Sequence, residues 1–299
     1  MIYTLENDYF KVAISTKGAE LQSVFSKKLG LELLWQGDAS FWGKRSPILF
    51  PIVGSLKNGE YEYQNKKYKL SRHGFARDME FKCTTPQSTI LKGTEVSFTL
   101  THTEETLQQY PFEFEFEILY TLLEDSLMVN TKVLNTSSTS DLYASFGAHP
   151  AFNLPIFSNT NFEDYSLVFN KNEQAGVYPL TETGLIKSKE KPFFENENKL
   201  QLSKALFYGD ALVFKNLKSD CIKVINNDSQ KGFQFVFVGD YNYFGIWSAK
   251  DAPFVCLEPW AGIADTENSN GQLVNKEGII KLLPNEESSA KWSINAIHF

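Results

Sequence analysis

Cysteine is scarce in this sequence, and its spacing argues against two common kinds of site. The 299 residues include three cysteines, Cys83, Cys221 and Cys256, which lie far apart. An odd number without CxxC spacing argues against both a disulfide framework and a zinc site. We expect the three thiols to be buried structural residues, since free cysteine usually packs as a small hydrophobic side chain.

Long apolar runs are also missing. No stretch reaches the length of about 18 apolar residues that a membrane span requires. Residues 1–8 carry acidic side chains early and lack the apolar region of a signal peptide. The sequence therefore predicts a cytoplasmic protein with no membrane partner.

Several familiar site motifs are absent as well. The chain has no GxGxxG segment, no phosphate-binding loop of the Walker type, no HExxH and no GxSxG. We therefore expect no nucleotide cofactor and no catalytic metal. The net charge is −7 and the lysines are scattered, so the basic stripe that a nucleic acid partner requires is lacking too.

Aromatic residues are abundant, with 25 Phe, 13 Tyr and 5 Trp, and they supply enough apolar material for a large core. Many lie in short runs that alternate with polar residues, as in the segment from Phe112 to Ile118, where Phe and Glu alternate. Alternation of this kind is typical of a half-buried antiparallel strand. Similar patterns predict further strands at Phe10–Ser15, Leu21–Ser26, Glu95–His102, Leu127–Leu134, Leu167–Phe169, Ala211–Phe214, Cys221–Ile225, Gln234–Val238, Phe244–Ser248, Phe254–Leu257 and Lys291–Ile297.

The strands do not alternate with helices, and no helical period exceeds about two turns. The predicted fold class is therefore all-β, a large antiparallel β-sandwich of stacked sheets. No shift in composition marks a boundary, so we expect one domain over residues 1–299. The irregular, lysine- and glutamate-rich region 170–205 is interpreted as a surface excursion.

Arginine is even scarcer than histidine, and its distribution is uneven. The three arginines, Arg45, Arg72 and Arg77, fall within one short part of the chain around His73. A guanidinium presents a planar fork of donors that suits vicinal hydroxyls, a carboxylate or a phosphate. Surface ion pairs are the alternative interpretation of the same cluster.

Four histidines are present, and two lie in segments that could form a site. His73 is flanked by arginines, and His149 lies between Gly147 and Pro150, which favour close backbone approach and an extended, rigid conformation. A rigidly held imidazole suits proton transfer. His102 in an alternating strand and the penultimate His298 are interpreted as surface residues.

Two carboxylates adjoin apolar strands. Glu258 directly follows the run predicted to end at Leu257, and partial desolvation there would raise its pKa and make it a better base. Trp260 follows two residues later and offers an aromatic face, which packs well against the C–H faces of sugars. Asp210 precedes the strand 211–214 and could accept a hydrogen bond from a hydroxyl group, or could be an ordinary turn residue.

With these segments identified, the chain resembles the aldose 1-epimerase (galactose mutarotase) family, and within it a divergent LacX-like branch, over nearly its whole length. Four segments carry the resemblance in the family's order: Arg45-Ser46-Pro47-Ile48-Leu49-Phe50-Pro51, His73-Gly74-Phe75-Ala76-Arg77, Gly147-Ala148-His149-Pro150-Ala151-Phe152 and Cys256-Leu257-Glu258-Pro259-Trp260.

The resemblance implies a β-sandwich with a sugar in an open cleft and a cofactor-free reaction. It implies that His149 is the general acid and Glu258 the general base, and that His73, Arg45 and Asp210 bind the sugar. Arg77 and Trp260 are further candidates for sugar contact. The expected partner is a monosaccharide, either an aldohexose or a hexose phosphate.

The sequence departs from the galactose-specific branch in two places. His73 is followed by Gly-Phe instead of Gly-Gly, and Glu258 by Pro-Trp instead of Thr-Gln. The first departure resembles the hexose-6-phosphate mutarotase branch, in which case Arg72, Arg77 or Lys44 could meet a phosphate. A carbohydrate-binding protein without turnover on the same fold is the third possibility, and these motifs leave the oligomeric state open.

Overall fold

A computed structural model of the protein describes residues 1–84 and 93–297. Those residues form one α-helix, α1 (Glu104–Gln109), and 23 strands. The strands are β1 Ile2–Glu6, β2 Phe10–Ser15, β3 Leu21–Ser26, β4 Leu31–Glu32, β5 Ile48–Leu49, β6 Glu60–Tyr63, β7 Lys66–Lys69, β8 Lys82–Thr84, β9 Gly93–Thr101, β10 Phe114–Leu123, β11 Ser126–Asn135, β12 Leu142–Ala144, β13 Phe146–Ala148, β14 Ala151–Asn153, β15 Tyr165–Glu173, β16 Glu197–Gln201, β17 Leu212–Lys215, β18 Cys221–Asn226, β19 Gly232–Gly239, β20 Tyr243–Trp247, β21 Phe254–Ala261, β22 Ile280–Leu282 and β23 Glu287–Ile297.

Short 3₁₀ helices lie at Lys57–Gly59, Ala76–Asp78, Phe162–Asp164, Lys204–Phe207 and Leu273–Asn275. Within the described ranges, no helix has the length and apolar composition that crossing a membrane would take.

Two large antiparallel sheets dominate the architecture. The larger has the strand order β16-β15-β18-β19-β23-β11-β10-β9-β8. The second has the order β17-β20-β21-β13-β5, with β14 also paired to β21. Smaller sheets are β1-β2-β3-β4, β6-β7 and β12-β22. The all-β, antiparallel fold class predicted from the sequence is confirmed.

Side-chain alternation determines which face of each strand is buried. In β10, Phe114, Phe116 and Ile118 are fully buried, whereas Glu115 and Glu117 are not. Because successive side chains of a strand point to opposite faces, this places the aromatic residues on the core side. The sheet thus contributes one apolar face to the interior.

Aromatic residues from the two large sheets meet in that interior. The ring of Phe235 on β19 lies 6.3 Å from the ring of Phe244 on β20. Phe152 on β14 packs 4.6 Å from Phe233 on β19. One hydrophobic cluster contains residues from Leu5 to Ile294. That a single domain spans residues 1–299 remains a prediction.

The predicted strands all coincide with observed ones, although several ends differ. Phe112 lies outside β10, where it is buried against Tyr143 instead of pairing in the sheet. The expectation of buried thiols is right for Cys256 and wrong for Cys83 and Cys221, which are only half-buried. The structure places His102 in a half-buried position, where its Nδ1 accepts a hydrogen bond from the Phe114 amide at 3.3 Å. His298 lies outside the described residues.

Candidate active site

Strand register brings His149 and Glu258 together. Both β13 and β14 pair with β21, through Gly147 with Trp260 and through Ala151 with Cys256. The residue numbers of each pair add to the same value, 407, so the two short strands share one register. His149, in the link between them, is therefore opposite Glu258, at the distance where cross-strand side chains interact.

The two side chains are in contact inside a cavity. Nε2 of His149 lies 3.2 Å from Oε2 of Glu258. His149 is 8% exposed and Glu258 is 2% exposed. A carboxyl group and an imidazole at this distance can pass a proton between them or share one.

Burial shifts the pKa of each member of this pair toward its uncharged form. Desolvation raises the pKa of Glu258 well above its usual range, and the nearby charge of Arg72 partly opposes this. Desolvation, together with the smaller effects of the Arg72 and Arg77 charges, lowers the pKa of His149 to about 3. The two groups therefore form a close pair that holds one exchangeable proton, with the carboxylate of Glu258 a strengthened base and the imidazolium of His149 a strengthened acid.

His73 is held beside this pair by the backbone of Gly54. The amide of Gly54 donates to Nδ1 of His73 at 3.1 Å, and the amide of His73 donates to the Gly54 carbonyl at 2.9 Å. Because Nδ1 accepts, a neutral His73 carries its proton on Nε2. Burial, followed by the charges of His149 and Arg72, lowers the pKa of His73 well below its usual range. His73 is thus a fixed hydrogen-bond donor in the cavity wall.

The indole of Trp260 lies against two glycines of neighbouring strands. A Cβ added to Gly147 on β13 would lie 2.8 Å from Cδ1 of Trp260, and one added to Gly245 on β20 would lie 2.5 Å from its Cζ2. Only hydrogen at both positions leaves room for the ring. Trp260 therefore presents an aromatic surface to the cavity.

We expect Gly245→Ala to displace that ring. The added methyl group meets Trp260 between packed strands, so the free energy of unfolding should fall by about 1–3 kcal/mol, the usual cost of overpacking. Urea denaturation measures the change. Gly209→Ala is the matched control, because a Cβ there would meet nothing within 4 Å. Equal effects of the two substitutions would contradict this role for Gly245.

Two further tryptophans contact the imidazole of His149. The ring of Trp42 stacks on it at 4.9 Å, and that of Trp247 meets it edge-on at 5.7 Å. Sequence reasoning missed both residues. The only available signal was that tryptophan is rare in this chain. Three of the five tryptophans line this cavity.

The cavity has a volume of about 390 Å³, within the range of small-molecule sites. The described residues that line it are Trp42, Val53, Gly54, Arg72, His73, Arg77, His149, Leu180, Gly184, Ile186, Asp210, Ala211, Val213, Trp247, Glu258, Trp260 and Ala264. Polar groups thus converge in an otherwise apolar and aromatic enclosure, which is the usual character of a site for a small ligand.

Part of the region interpreted as a surface excursion forms a wall of this cavity. Leu180, Gly184 and Ile186 line it, and Ile186 is 1% exposed. The amide of Ile186 donates to the carbonyl of Asp265 at 2.9 Å. Interpreting all of 170–205 as surface was therefore wrong, because a contact with a distant segment buries residues whose local sequence looks irregular.

Arg72, Arg77 and Asp210 line the cavity, but Arg45 does not. Nη1 of Arg45 donates to the carbonyl of Gln22 on β3 at 2.7 Å. Lys44, another candidate for contact with a phosphate, forms an ion pair with Asp78 at 3.1 Å and is likewise absent from the lining.

Glu258 does not lie at the end of its strand. Strand β21 continues through Pro259 to Ala261. Residues beyond Leu257 find partners in Gly245 on β20 and Gly147 on β13. Those partners are distant in sequence, which is why local reasoning ended the strand early and underestimated the burial of Glu258.

Comparisons with known proteins identify a family and several similar structures. A family model described as aldose 1-epimerase matches residues 1–287. Protein LacX of Lactococcus lactis subsp. lactis, encoded on the chromosome, is 34% identical, and the match covers 100% of both chains.

Solved structures with a similar fold include two from lactobacilli. A galactose mutarotase related enzyme from Lactobacillus acidophilus has 35% identity and a TM-score of 0.88, and the match covers 100% of this chain and 98% of that one. A galactose mutarotase-like protein from Lactobacillus casei has 28% identity and a TM-score of 0.90, covering 99% and 100% respectively.

Proposed function

The chain belongs to the aldose 1-epimerase family, and from that premise we propose that it is a mutarotase that interconverts the α and β anomers of an aldohexose. The observation that carries the proposal is the buried contact between His149 and Glu258 at 3.2 Å. In a cyclic aldose the anomeric oxygen O1 and the ring oxygen O5 are bound to the same carbon. An acid and a base separated by so short a distance can therefore act on both oxygens at once.

In the proposed reaction Glu258 takes the proton from O1 while protonated His149 gives a proton to O5. The C1–O5 bond breaks and C1 becomes an aldehyde carbon. Rotation about C1–C2 presents the other face of the aldehyde, and the reverse transfers close the ring as the other anomer. The pair ends with the same number of protons, so the cycle can repeat.

The pKa shifts of the pair favour these transfers. A carboxylate with a raised pKa is a stronger base, and an imidazolium with a lowered pKa is a stronger acid. Stacking of Trp42 on His149 supplies an aromatic face that stabilises the cationic form during the cycle. We assign contacts with the sugar hydroxyls and C–H faces to His73, Asp210 and Trp260, which line the cavity.

A hexose phosphate is the second candidate substrate. Arg72 and Arg77 both line the cavity, and a guanidinium binds phosphate oxygens well. NMR exchange spectroscopy on galactose, glucose and glucose 6-phosphate separates the candidates, because spontaneous anomer exchange is slow. We expect enzyme-dependent exchange on a free hexose. Faster exchange on the phosphate would favour the second candidate, and binding without exchange on any sugar would indicate a sugar-binding protein.

The exchange rate should depend on pH in a manner set by the pair. Between the pKa of His149, at about 3, and the raised pKa of Glu258, the pair holds its one working proton. We expect kcat/KM to be flat in this window and to fall by about tenfold per pH unit above the Glu258 pKa. Rates corrected for spontaneous exchange measure the profile. A fall as the pH drops through 6.5, the ordinary pKa of histidine, would contradict it.

A further inference from the structure

A third side chain with a metal-binding atom lies beside the proposed acid and base. The ligand atoms of His149, Cys256 and Glu258 all lie within 4.8 Å of one another. All three residues are buried. Cys256 has no part in the proton transfers proposed above.

Strand geometry aims the three donors at one point. Cys256 and Glu258 are alternate residues of β21, so their side chains share a face. His149 approaches from the link between β13 and β14, which pair with the same strand. The separation of 3.2 Å between Nε2 of His149 and Oε2 of Glu258 matches that of two ligands about 2.0–2.1 Å from a tetrahedral zinc ion.

We propose that His149, Cys256 and Glu258 form a binding site for a thiophilic divalent cation such as Zn²⁺, which inhibits the protein when bound. Imidazole, thiolate and carboxylate are the donors that Zn²⁺ and Co²⁺ accept together. Because His149 and Glu258 line the cavity, the fourth coordination position would face its interior. The thiol proton of Cys256 and the one proton held by the His149–Glu258 pair leave to solvent as the ion binds.

The ion inhibits because it occupies the same lone pairs of Glu258 and His149 that the proton transfers use. This inhibition rests on the proposed function, whereas binding of the ion does not depend on that function. A coordinated carboxylate oxygen is a poorer base for O1, and a coordinated imidazole nitrogen has no proton to give to O5. Metal binding and sugar turnover would therefore exclude each other at the same two residues.

Titration of the metal-free full-length chain with Co²⁺ tests the site directly. We expect one equivalent to produce the near-ultraviolet absorption of a cobalt–thiolate bond. Cys221→Ser is the matched control and should keep this band. Cys256→Ser should lose the band. Its affinity for Co²⁺ should also fall by at least about 10- to 100-fold, the effect of losing a residue that only supports a metal ligand. No band in the wild-type chain, or an equal band in Cys256→Ser, overturns the proposal.

Cys256→Ala provides a second variant in case a serine hydroxyl unfolds this buried position, and circular dichroism checks both. Zn²⁺ should inhibit anomer exchange by the wild-type chain and by Cys221→Ser. The same inhibition of Cys256→Ser should require a Zn²⁺ concentration at least about tenfold higher. Faster exchange with Zn²⁺ bound would overturn the inhibition. A cobalt–thiolate band in a chain that exchanges no sugar would retain the metal site and overturn only the proposed function.

Discussion

Glu258→Gln is expected to abolish anomer exchange while the fold stays intact. Glutamine keeps the size of the side chain and its place opposite His149, but it cannot take the proton from O1. General acid–base groups contribute about 10²- to 10⁴-fold, so exchange should fall by at least that range. NMR exchange spectroscopy on the sugar with the fastest wild-type rate measures the loss, and exchange at the wild-type rate would refute the assignment of Glu258 as the base.

The same substitution should make the protein more stable at neutral pH. Burial raises the pKa of Glu258 in the folded state above the usual 4.5, so folding takes up a proton as the pH rises past that value. The contribution of this group to stability is therefore complete below pH 4.5 and is lost as the pH rises toward the folded pKa. Glutamine does not titrate, so its advantage in Tm should grow between pH 4.5 and pH 7.

Glu173→Gln is the matched control for this stability effect. Glu173 is also buried, but its carboxylate accepts the amides of Lys218 at 3.0 Å and Ser219 at 2.7 Å. Removing that charge weakens two charge-assisted hydrogen bonds, which should cost about 1.5–3 kcal/mol. Thermal denaturation of both variants should thus give shifts of opposite sign. A lower Tm for Glu258→Gln would mean that the carboxylate is stabilised in the folded state.

His149→Asn should cause the second large loss of exchange. Asparagine has no group that can protonate O5, and it is too short to reach Glu258 in the same way. We expect a decrease of about 10²- to 10⁴-fold, measured as for Glu258→Gln. The matched control is His102→Asn, because His102 is half-buried at the end of β9, outside the cavity lining, and should leave the rate unchanged.

The double variant provides a stricter test of the pair. If His149 and Glu258 transfer protons in one concerted cycle, either loss alone removes the whole acid–base contribution. The variant with both substitutions should then be no slower than the slower single variant. Multiplicative losses would show that the two residues act independently.

Local pattern was enough to predict the longer strands and the all-β fold class. The alternation of Phe and Glu around Phe116 predicted a strand with one apolar face, and β10 buries that face. This succeeded because the period of two is a property of neighbouring residues alone. Short strands such as β13 and β14 were not predicted, since three residues carry too little pattern and gain their hydrogen bonds from β21.

Only some residues of the site could be predicted from the sequence. Arg45 belongs to a segment that carries the family resemblance, yet its side chain donates to the Gln22 carbonyl and does not line the cavity. Trp42 and Trp247 were missed although both contact His149. Composition counts residues, and which of them face one cavity depends on strand pairing between segments that are distant in the chain.

The scarce cysteines likewise show what spacing along the chain can predict and what it cannot. Scarce and widely spaced cysteines argue against a zinc site, because that inference uses only their spacing along the chain. The approach of Cys256 to His149 and Glu258 could not be inferred in this way. It depends on the side of β21 that faces the cavity and on the strand that pairs with it.

By itself the sequence determined the fold class, the family and the identity of the proposed acid and base, because each depends on periodicity or on short ordered motifs. Tertiary structure decided that His149 meets Glu258 at 3.2 Å, that both are buried and that their pKa values shift in opposite directions. The reason is physical. Proximity and desolvation arise only when β13 and β14 pair in register with β21 and Trp42 packs against His149, and no local segment of the chain contains that information.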